Sequence, residues 1–421
     1  MLSYRETCDY LFTKTPQFEK TGASAYKPGL GTSLALDEHL GHPHEKYRTI
    51  HVAGTNGKGS TCHTLAAILQ KAGYKVGLFT SPHLVDFRER IKVNGEMCSE
   101  KFVVDFVEKH RAFFEPLQPS FFEITTAMAL EYFYEKEVDV AVIEVGLGGR
   151  LDCTNIITPD LCIITNISLD HTDLLGDTQG KIAAEKAGIM KKGVPCIIGE
   201  TSAETLPVFE SVAREKGCQI IKAEEFSDHV PQGELTGEYQ KANLRTILCA
   251  VEVLNALPYY TIGSQMVAEG IQQVCSLTGL RGRWETLDTK PLTICDVGHN
   301  PGAWQYLGPR LKALGDEKLL HIVIGMCEDK DVCTVLSLMP KDVRYYWTAA
   351  NSRRAISPVE LKKRAETFGL QGETYGSVAD AYDAAREKAG DEGAIFVGGS
   401  CYVVAELLRH RMKKLNINIK K

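Results

Sequence analysis

Gly54-Thr55-Asn56-Gly57-Lys58-Gly59-Ser60, continued by Thr61, decides the reading of this chain. The apolar run Thr49-Ile50-His51-Val52-Ala53 precedes it, and a helical pattern over residues 62–72 follows. Strand, glycine-rich turn and helix together wrap backbone N–H groups around phosphate oxygens. The glycines allow close approach. Lys58 supplies a point charge for the outer phosphates, and the Ser60 or Thr61 hydroxyl can serve a bound Mg²⁺. The spacing departs from the common phosphate loop: Gly54 lies closer to Gly57, and Gly59 takes the usual hydroxyl position. The plain alternative is a glycine-rich turn with a solvated lysine. In both readings Lys58 is expected to be exposed at the turn.

Outward from that turn the chain alternates. Short apolar runs at residues 75–80, 138–145, 160–167 and 194–198 have buried-strand length, with amphipathic stretches between several of them. A second series, at residues 293–297, 321–325, 343–348 and 394–398, has helical patterns over 304–314 and 357–367. Such alternation predicts mostly parallel sheets covered by helices. A length of 421 residues exceeds one compact core. Two α/β units are therefore expected, residues 1–280 and 281–421. Ser276-Leu277-Thr278-Gly279-Leu280-Arg281-Gly282, with little periodicity, is read as the hinge. Residues 1–48 read as helical stretches broken by a loop at 27–31.

Composition narrows the class. Hydrophobic content of 44% and charged content of 24% are those of a soluble globular protein. A net charge of −6 argues against a nucleic-acid surface. Neither a membrane span nor a signal-peptide core is found, so a cytoplasmic location is expected. The 13 cysteines include no CxxC pair, and read as buried apolar residues or free thiols.

Candidate chemistry gathers where strands end, because open α/β sheets bind ligands outside their carboxyl edge. Glu144 closes one apolar run, Ser81 follows another, and Asp170-His171 follows a third. In the second series Asp296, His299 and Asn300 lie at a strand end, and Arg283 stands at the start of the unit. An arginine there could stabilise charge on a terminal phosphate across a cleft. Asn300-Pro301 also reads as a capped helix start. Ser120, Phe121 and Phe122 offer an aromatic face to a flat heterocycle, although such a Phe pair is more often core. From the residues alone, Lys186 reads as a helix-surface lysine paired with a carboxylate.

His51 through Thr61 resembles the signature of folylpolyglutamate and dihydrofolate synthases, which are Mur-type amide ligases. Four further segments are similar to the family's motifs, in the same order. They are Ser81-Pro82-His83-Leu84 with Glu89-Arg90-Ile91, Glu144 through Asp152, Asp170-His171 with Glu185-Lys186-Ala187-Gly188-Ile189, and Asp296 through Pro301. Val297 and Gly298 depart from the family's pattern in the last. The resemblance implies an N-terminal P-loop-type ATPase domain, with a mostly parallel sheet, and a smaller Rossmann-like C-terminal domain. It assigns Gly54, Thr55, Asn56, Gly57, Lys58, Gly59, Ser60, Thr61, Gln240, Asn243, Arg283 and Asp296 to ATP. Ser81, Glu144, His171 and a carbamylated Lys186 fall to Mg²⁺, with two metal sites expected. A carbamate is implied because an ammonium has no lone pair for a metal. Ser120, Phe122 and Asp152 fall to dihydropteroate, under a loop at residues 26–31. His299, Ser400 and Tyr402 fall to glutamate and phosphate, although Ser400 and Tyr402 equally fit an ordinary turn. Lys58, Arg283, His299 and Lys186 would carry catalysis.

The reaction so implied is ATP-dependent addition of L-glutamate to dihydropteroate or a reduced folate by a monomer. Three alternatives are an enzyme acting only on tetrahydrofolates, a regulatory or motor P-loop NTPase, and a nucleotide-binding scaffold without catalysis. Glutamate-dependent phosphate release separates the ligase from the NTPase.

Overall fold

The alternating apolar runs become two sheets. The computed structural model describes residues 2–15, 29–226 and 230–415. It divides into two compact units, Met1–Leu280 and Arg281–Lys421. The expected loop at 26–31 lies outside the described residues up to 28, and Gly31 already opens the helix Gly31–His39.

In the first unit eight strands form one sheet: β1 (Arg48–Ala53), β2 (Val76–Phe79), β3 (Ile91–Val93), β4 (Glu96–Met97), β5 (Val140–Glu144), β6 (Leu161–Ile164), β7 (Cys196–Ile198) and β8 (Ile220–Lys222). Their order is β4-β3-β2-β5-β1-β6-β7-β8. All pairs are parallel except β2/β3 and β3/β4. Strand alternation sorts β5 between two cores. Val140 and Val142 pack with Leu65, Ile68 and Ile247 on one face, whereas Ala141 and Ile143 pack with Phe106, Met128 and Phe133 on the other. Burial on both faces is what made these strands read as continuous apolar runs.

In the second unit β9 (Glu285–Thr289), β10 (Leu292–Asp296), β11 (Leu320–Ile324), β12 (Arg344–Trp347), β13 (Gly372–Thr374) and β14 (Ala394–Gly398) form a sheet of order β13-β12-β11-β14-β10-β9. Only the β9/β10 pair is antiparallel. Helices Pro301–Glu317 and Pro358–Glu366 occupy the patterns read at 304–314 and 357–367.

Two expectations need correction. The helix expected over 62–72 begins earlier, as Lys58–Lys71, because the glycine turn itself closes its first turn through Thr61 N to Gly57 O at 2.8 Å. The segment read as a hinge is partly helical: Val274–Thr278 forms a helix that ends at Gly279 in the left-handed region, φ 67°. All 13 cysteines are free thiols, as expected. No described helix is long and apolar enough to cross a membrane.

Candidate active site

Register brings the strand ends of the first unit together. Val52 of β1 pairs with Glu144 of β5, and Ala53 with Ile164 of β6. Phe79 of β2 pairs with Ile143. Gly54, Ser81, Glu144 and Thr165 therefore emerge side by side. The Ser81 N–H donates to Glu144 Oε2 at 3.0 Å, and Glu144 is buried.

The turn between β1 and helix Lys58–Lys71 is built by its neighbours. Gly57, at φ 84°, occupies the N-cap position, and no side chain caps the helix. Its first amides are left to a ligand, the usual arrangement for an anion. A Cβ at Gly57 would lie 2.2 Å from Asn243 Oδ1, and one at Gly54 would lie 1.8 Å from Thr165 Oγ1. Asn243 in turn donates to Gln240 Oε1 at 2.9 Å, and Gln240 Nε2 donates to Ser60 Oγ at 3.3 Å. Thr55 and Asn56 are tied to Asn166 O and Asn166 Oδ1, each at 2.9 Å. Thr165 Oγ1 donates to Asn56 O at 2.6 Å, and Asn56 Nδ2 to Ser168 Oγ at 3.2 Å.

Two lysines converge on this turn. Lys58 Nζ donates to Gly54 O at 3.0 Å and Thr55 O at 3.1 Å, while Lys186 Nζ donates to Gly54 O at 2.8 Å. Lys58 is half-buried, not exposed as the sequence suggested, because its ammonium folds back on the turn's carbonyls. Lys186 is 5% exposed and not on a helix surface. Burial first, then the Lys58 charge, push its ammonium down to about 7 against the pull of Asp170 and Asp152. Among the described residues neither lysine has a carboxylate within ion-pair distance, so positive charge is left for a polyanion.

His171 is half-buried in the left-handed region, φ 51°, with Nε2 3.9 Å from Asp170 Oδ1. The Thr61 hydroxyl is buried without a partner among the described residues. The Glu144 carboxylate, the Ser81 hydroxyl and the orphaned Thr61 oxygen are donors of the type a hard divalent cation takes beside water and phosphate oxygens, whereas the His171 imidazole is an unusual one. No group of three His, Cys, Asp or Glu side chains among the described residues forms a cage of its own. An ammonium at Lys186 does not fit as a ligand; a carbamate would.

The residues expected at the pterin also shape the loop beside the site. Asp152 is buried, and its carboxylate accepts from Leu147 N at 2.8 Å and Thr154 N at 3.0 Å. Burial raises its pKa, against those hydrogen bonds. Ser120 caps helix Phe121–Glu135 in a capping box with Glu123. Phe122 stacks on Phe79 at 5.7 Å between centroids and blocks any side chain at Gly146, where a Cβ would lie 2.4 Å from its ring.

In the second unit, Asp296 ends β10 and accepts from Trp284 N at 2.7 Å and Gly298 N at 2.8 Å. Asn300 and Ser400 cap helices Pro301–Glu317 and Cys401–Lys414. His299 Nδ1 lies 3.0 Å from Val297 O, and Arg283 Nη1 donates to Gly282 O at 3.3 Å. Tyr402 is half-buried at the start of its helix. The reading of Asn300-Pro301 as a capped helix start is thus realised, and Ser400, read as glutamate-side or ordinary turn, is a helix cap. Sequence reasoning missed Thr165, Asn166 and Ser168, although the strand-end rule that found His171 points to the same segment.

Comparison with known proteins agrees with this layout. Residues 52–247 match the Mur ligase middle domain, and residues 282–401 match the Mur ligase glutamate ligase domain. The Escherichia coli (strain K12) dihydrofolate synthase/folylpolyglutamate synthase is 37% identical over 365 residues, covering 85% of each chain. A probable bifunctional folylpolyglutamate synthase/dihydropteroate synthase of Haloferax volcanii is 35% identical over 96% of this chain, which spans 50% of that relative's length. A solved structure of Escherichia coli FolC in complex with DHPP and ADP has a TM-score of 0.86 at 32% identity, covering 98% of this chain and 99% of that one. A bifunctional folylpolyglutamate synthase/dihydrofolate synthase with Mn, AMPPNP and L-glutamate bound has a TM-score of 0.84 at 30% identity, with 99% of each chain covered. The chain belongs to the dihydrofolate synthase/folylpolyglutamate synthase family of ATP-dependent glutamate ligases, within the Mur ligases.

Proposed function

We propose that this ligase joins L-glutamate to dihydropteroate and to the γ-carboxylate of reduced folates, through an acyl phosphate. The observation that carries the reading is the Lys58 ammonium, folded onto the Gly54 and Thr55 carbonyls at an uncapped helix start. That is excess positive charge with amides pointing outward, which suits ATP phosphates. The substrate carboxylate attacks the γ-phosphorus and ADP departs. The glutamate amine, having lost a proton, attacks the acyl carbon and phosphate departs.

Lys58 follows the phosphates from the turn's carbonyls and stabilises transferring charge. Arg283 and His299 contribute charge and positioning toward phosphate and glutamate. Gln240 and Asn243 face the adenine side, and Asp296 the ribose. Ser81, Glu144, His171 and carbamylated Lys186 would hold Mg²⁺, in up to two sites, which supplies charge neutralisation when bound. Carbamylation needs a neutral amine attacking CO₂ with loss of one proton, and burial of Lys186 makes that amine available near neutral pH. Ser120, Phe122 and Asp152 border the pterin, while Ser400 and Tyr402 border glutamate.

The test incubates the protein with ATP, Mg²⁺, L-glutamate and either dihydropteroate or tetrahydrofolate, and weighs the products. One added glutamyl residue on each acceptor is expected. Product from tetrahydrofolate alone would reduce the activity to chain extension. Phosphate release indifferent to glutamate would overturn the ligase reading.

A further inference from the structure

The chain leaves the first unit at Leu280, directly after helix Val274–Thr278 and Gly279. The end of that helix is held by three separate elements. Lys92 of β3 donates from Nζ to Thr278 O at 2.7 Å and Gly279 O at 3.4 Å. Thr278 Oγ1 donates to Val274 O at 2.6 Å and lies 2.7 Å from His63 Nδ1, on the helix that begins with Lys58. In the turn between β3 and β4, Gly95 has φ 80°, and a Cβ there would lie 2.0 Å from Leu277 O.

Lys92 is 4% exposed, and the carboxylate of Glu89 is the charge that favours its ammonium against burial. A buried cation is a costly way to cap a five-residue helix, which a polar neutral group could also do. What distinguishes Lys92 is where its strand comes from. β3 continues the loop that carries Ser81, and in that loop the Glu89 carboxylate accepts from Leu84 N, Val85 N and Asp86 N at 2.7–2.8 Å. Helix Lys58–Lys71 comes from the phosphate turn. The two loops assigned to ligands thus each send one element to the same residues before the unit boundary.

We propose that Lys92 is a positioning residue for ligation. It pins the root of the linker to the ligand loops of the first unit, and so fixes where the chain departs toward the second. The proposal rests on the ligase reading above. Loss of the pin leaves ATP binding intact, because Lys92 touches no part of the phosphate turn, and lowers turnover.

The experiment compares full-length Lys92→Met, Lys92→Arg and Gly95→Ala with the parent protein. Trypsin cleavage at Arg281 and Arg283 reads the linker directly, calorimetry reads ATP-analogue affinity, and glutamate-dependent phosphate release reads turnover. Lys92→Met is expected to be cut about tenfold faster and to lose about tenfold in kcat, with ATP affinity unchanged. Lys92→Arg, whose donors reach the same carbonyls, should restore both. Unchanged cleavage and kcat in Lys92→Met would overturn the proposal. So would a fall in ATP affinity in step with Tm, which marks general destabilisation. Should Lys92→Met not fold, Gly95→Ala decides alone: faster cleavage with intact ATP affinity supports the pin, and any other result refutes it. Parent protein lacking glutamate-dependent release would overturn the ligase reading, and the cleavage arm would still judge the pin.

Discussion

Both units bring helix starts to the carboxyl ends of parallel strands, yet they finish those starts in opposite ways. In the second unit the starts at Pro301 and Cys401 are closed by the side chains of Asn300 and Ser400. In the first, the start at Lys58 has no side-chain cap, and the Lys58 and Lys186 nitrogens both donate to the carbonyl of Gly54 instead. A capped start is finished structure. An uncapped start leaves its first amides and its dipole free to favour an anion. The first unit thus leaves a helix start open at its strand ends, whereas the second closes its own with side chains.

The largest effect is expected from Lys58→Ala. Removing that charge should lower kcat/KM by about 10³-fold, with Tm little changed because the side chain is only half-buried. Near-parental turnover in a folded Lys58→Ala protein would erase the contrast between the units.

Lys186→Ala should cost about 10²-fold in turnover, with partial recovery on adding a small carboxylate that stands in for the carbamate. Native mass spectra of CO₂-equilibrated protein without the extra mass would remove the carbamate. A stability measurement in CO₂-free buffer sharpens the same point. The folded lysine titrates at about 7, against an ordinary 10.5. Between those values the unfolded chain holds more protons, so stability rises with pH across that window, and the burden of the buried charge is complete below it. Lys186→Met should lack this slope; equal slopes would contradict the buried-charge account.

In the second unit Asn300→Ala should behave as a cap deletion, lowering stability by about 1 kcal/mol with a small change in ATP affinity. A loss of turnover comparable to that of Lys58→Ala would show that this helix start also serves the ligand directly.

The smallest effect separates the units under acid. Burial lowers His51 of β1 to about 3 and His321 of β11 to about 4. Both stay neutral in the folded chain while unfolded histidine protonates near 6.5. Stability is therefore lost as pH falls from that value, and the loss continues to a lower pH for His51. All three tryptophans, Trp284, Trp304 and Trp347, belong to the second unit, so their fluorescence reports it alone, while far-UV circular dichroism reports both. His321→Gln should blunt the acid response seen by fluorescence and His51→Gln should not.

Much of the fold was legible because it rests on local pattern. Val140-Ala141-Val142-Ile143 is apolar on both faces, and the shortness of its run read as an interior strand. The strand ends, and with them Ser81, Glu144 and His171, followed from the same pattern. What was illegible depends on distant partners. Helix Val274–Thr278 has too few residues for a period and is held by Lys92 and His63, 186 and 215 residues away from Thr278. The burial of Lys186 was likewise hidden, since a helix lysine beside Glu185 carries the same letters whether it faces water or Gly54 O. The bracing of Asn56 by Asn166, 110 residues on, has no signal in spacing at all.

Gly54 and Gly57 have a consequence for heredity. Every single-base change that converts a glycine codon to another amino acid adds a Cβ. At these positions the new atom would land 1.8 Å from Thr165 Oγ1 or 2.2 Å from Asn243 Oδ1. Each such step also forces a Cβ onto a backbone at φ 146° or 84° and makes Thr165 or Asn243 shift, so single-base neighbours of this turn start at a cost. The constraint on this turn is thus written more than a hundred positions downstream, at Thr165 and Asn243.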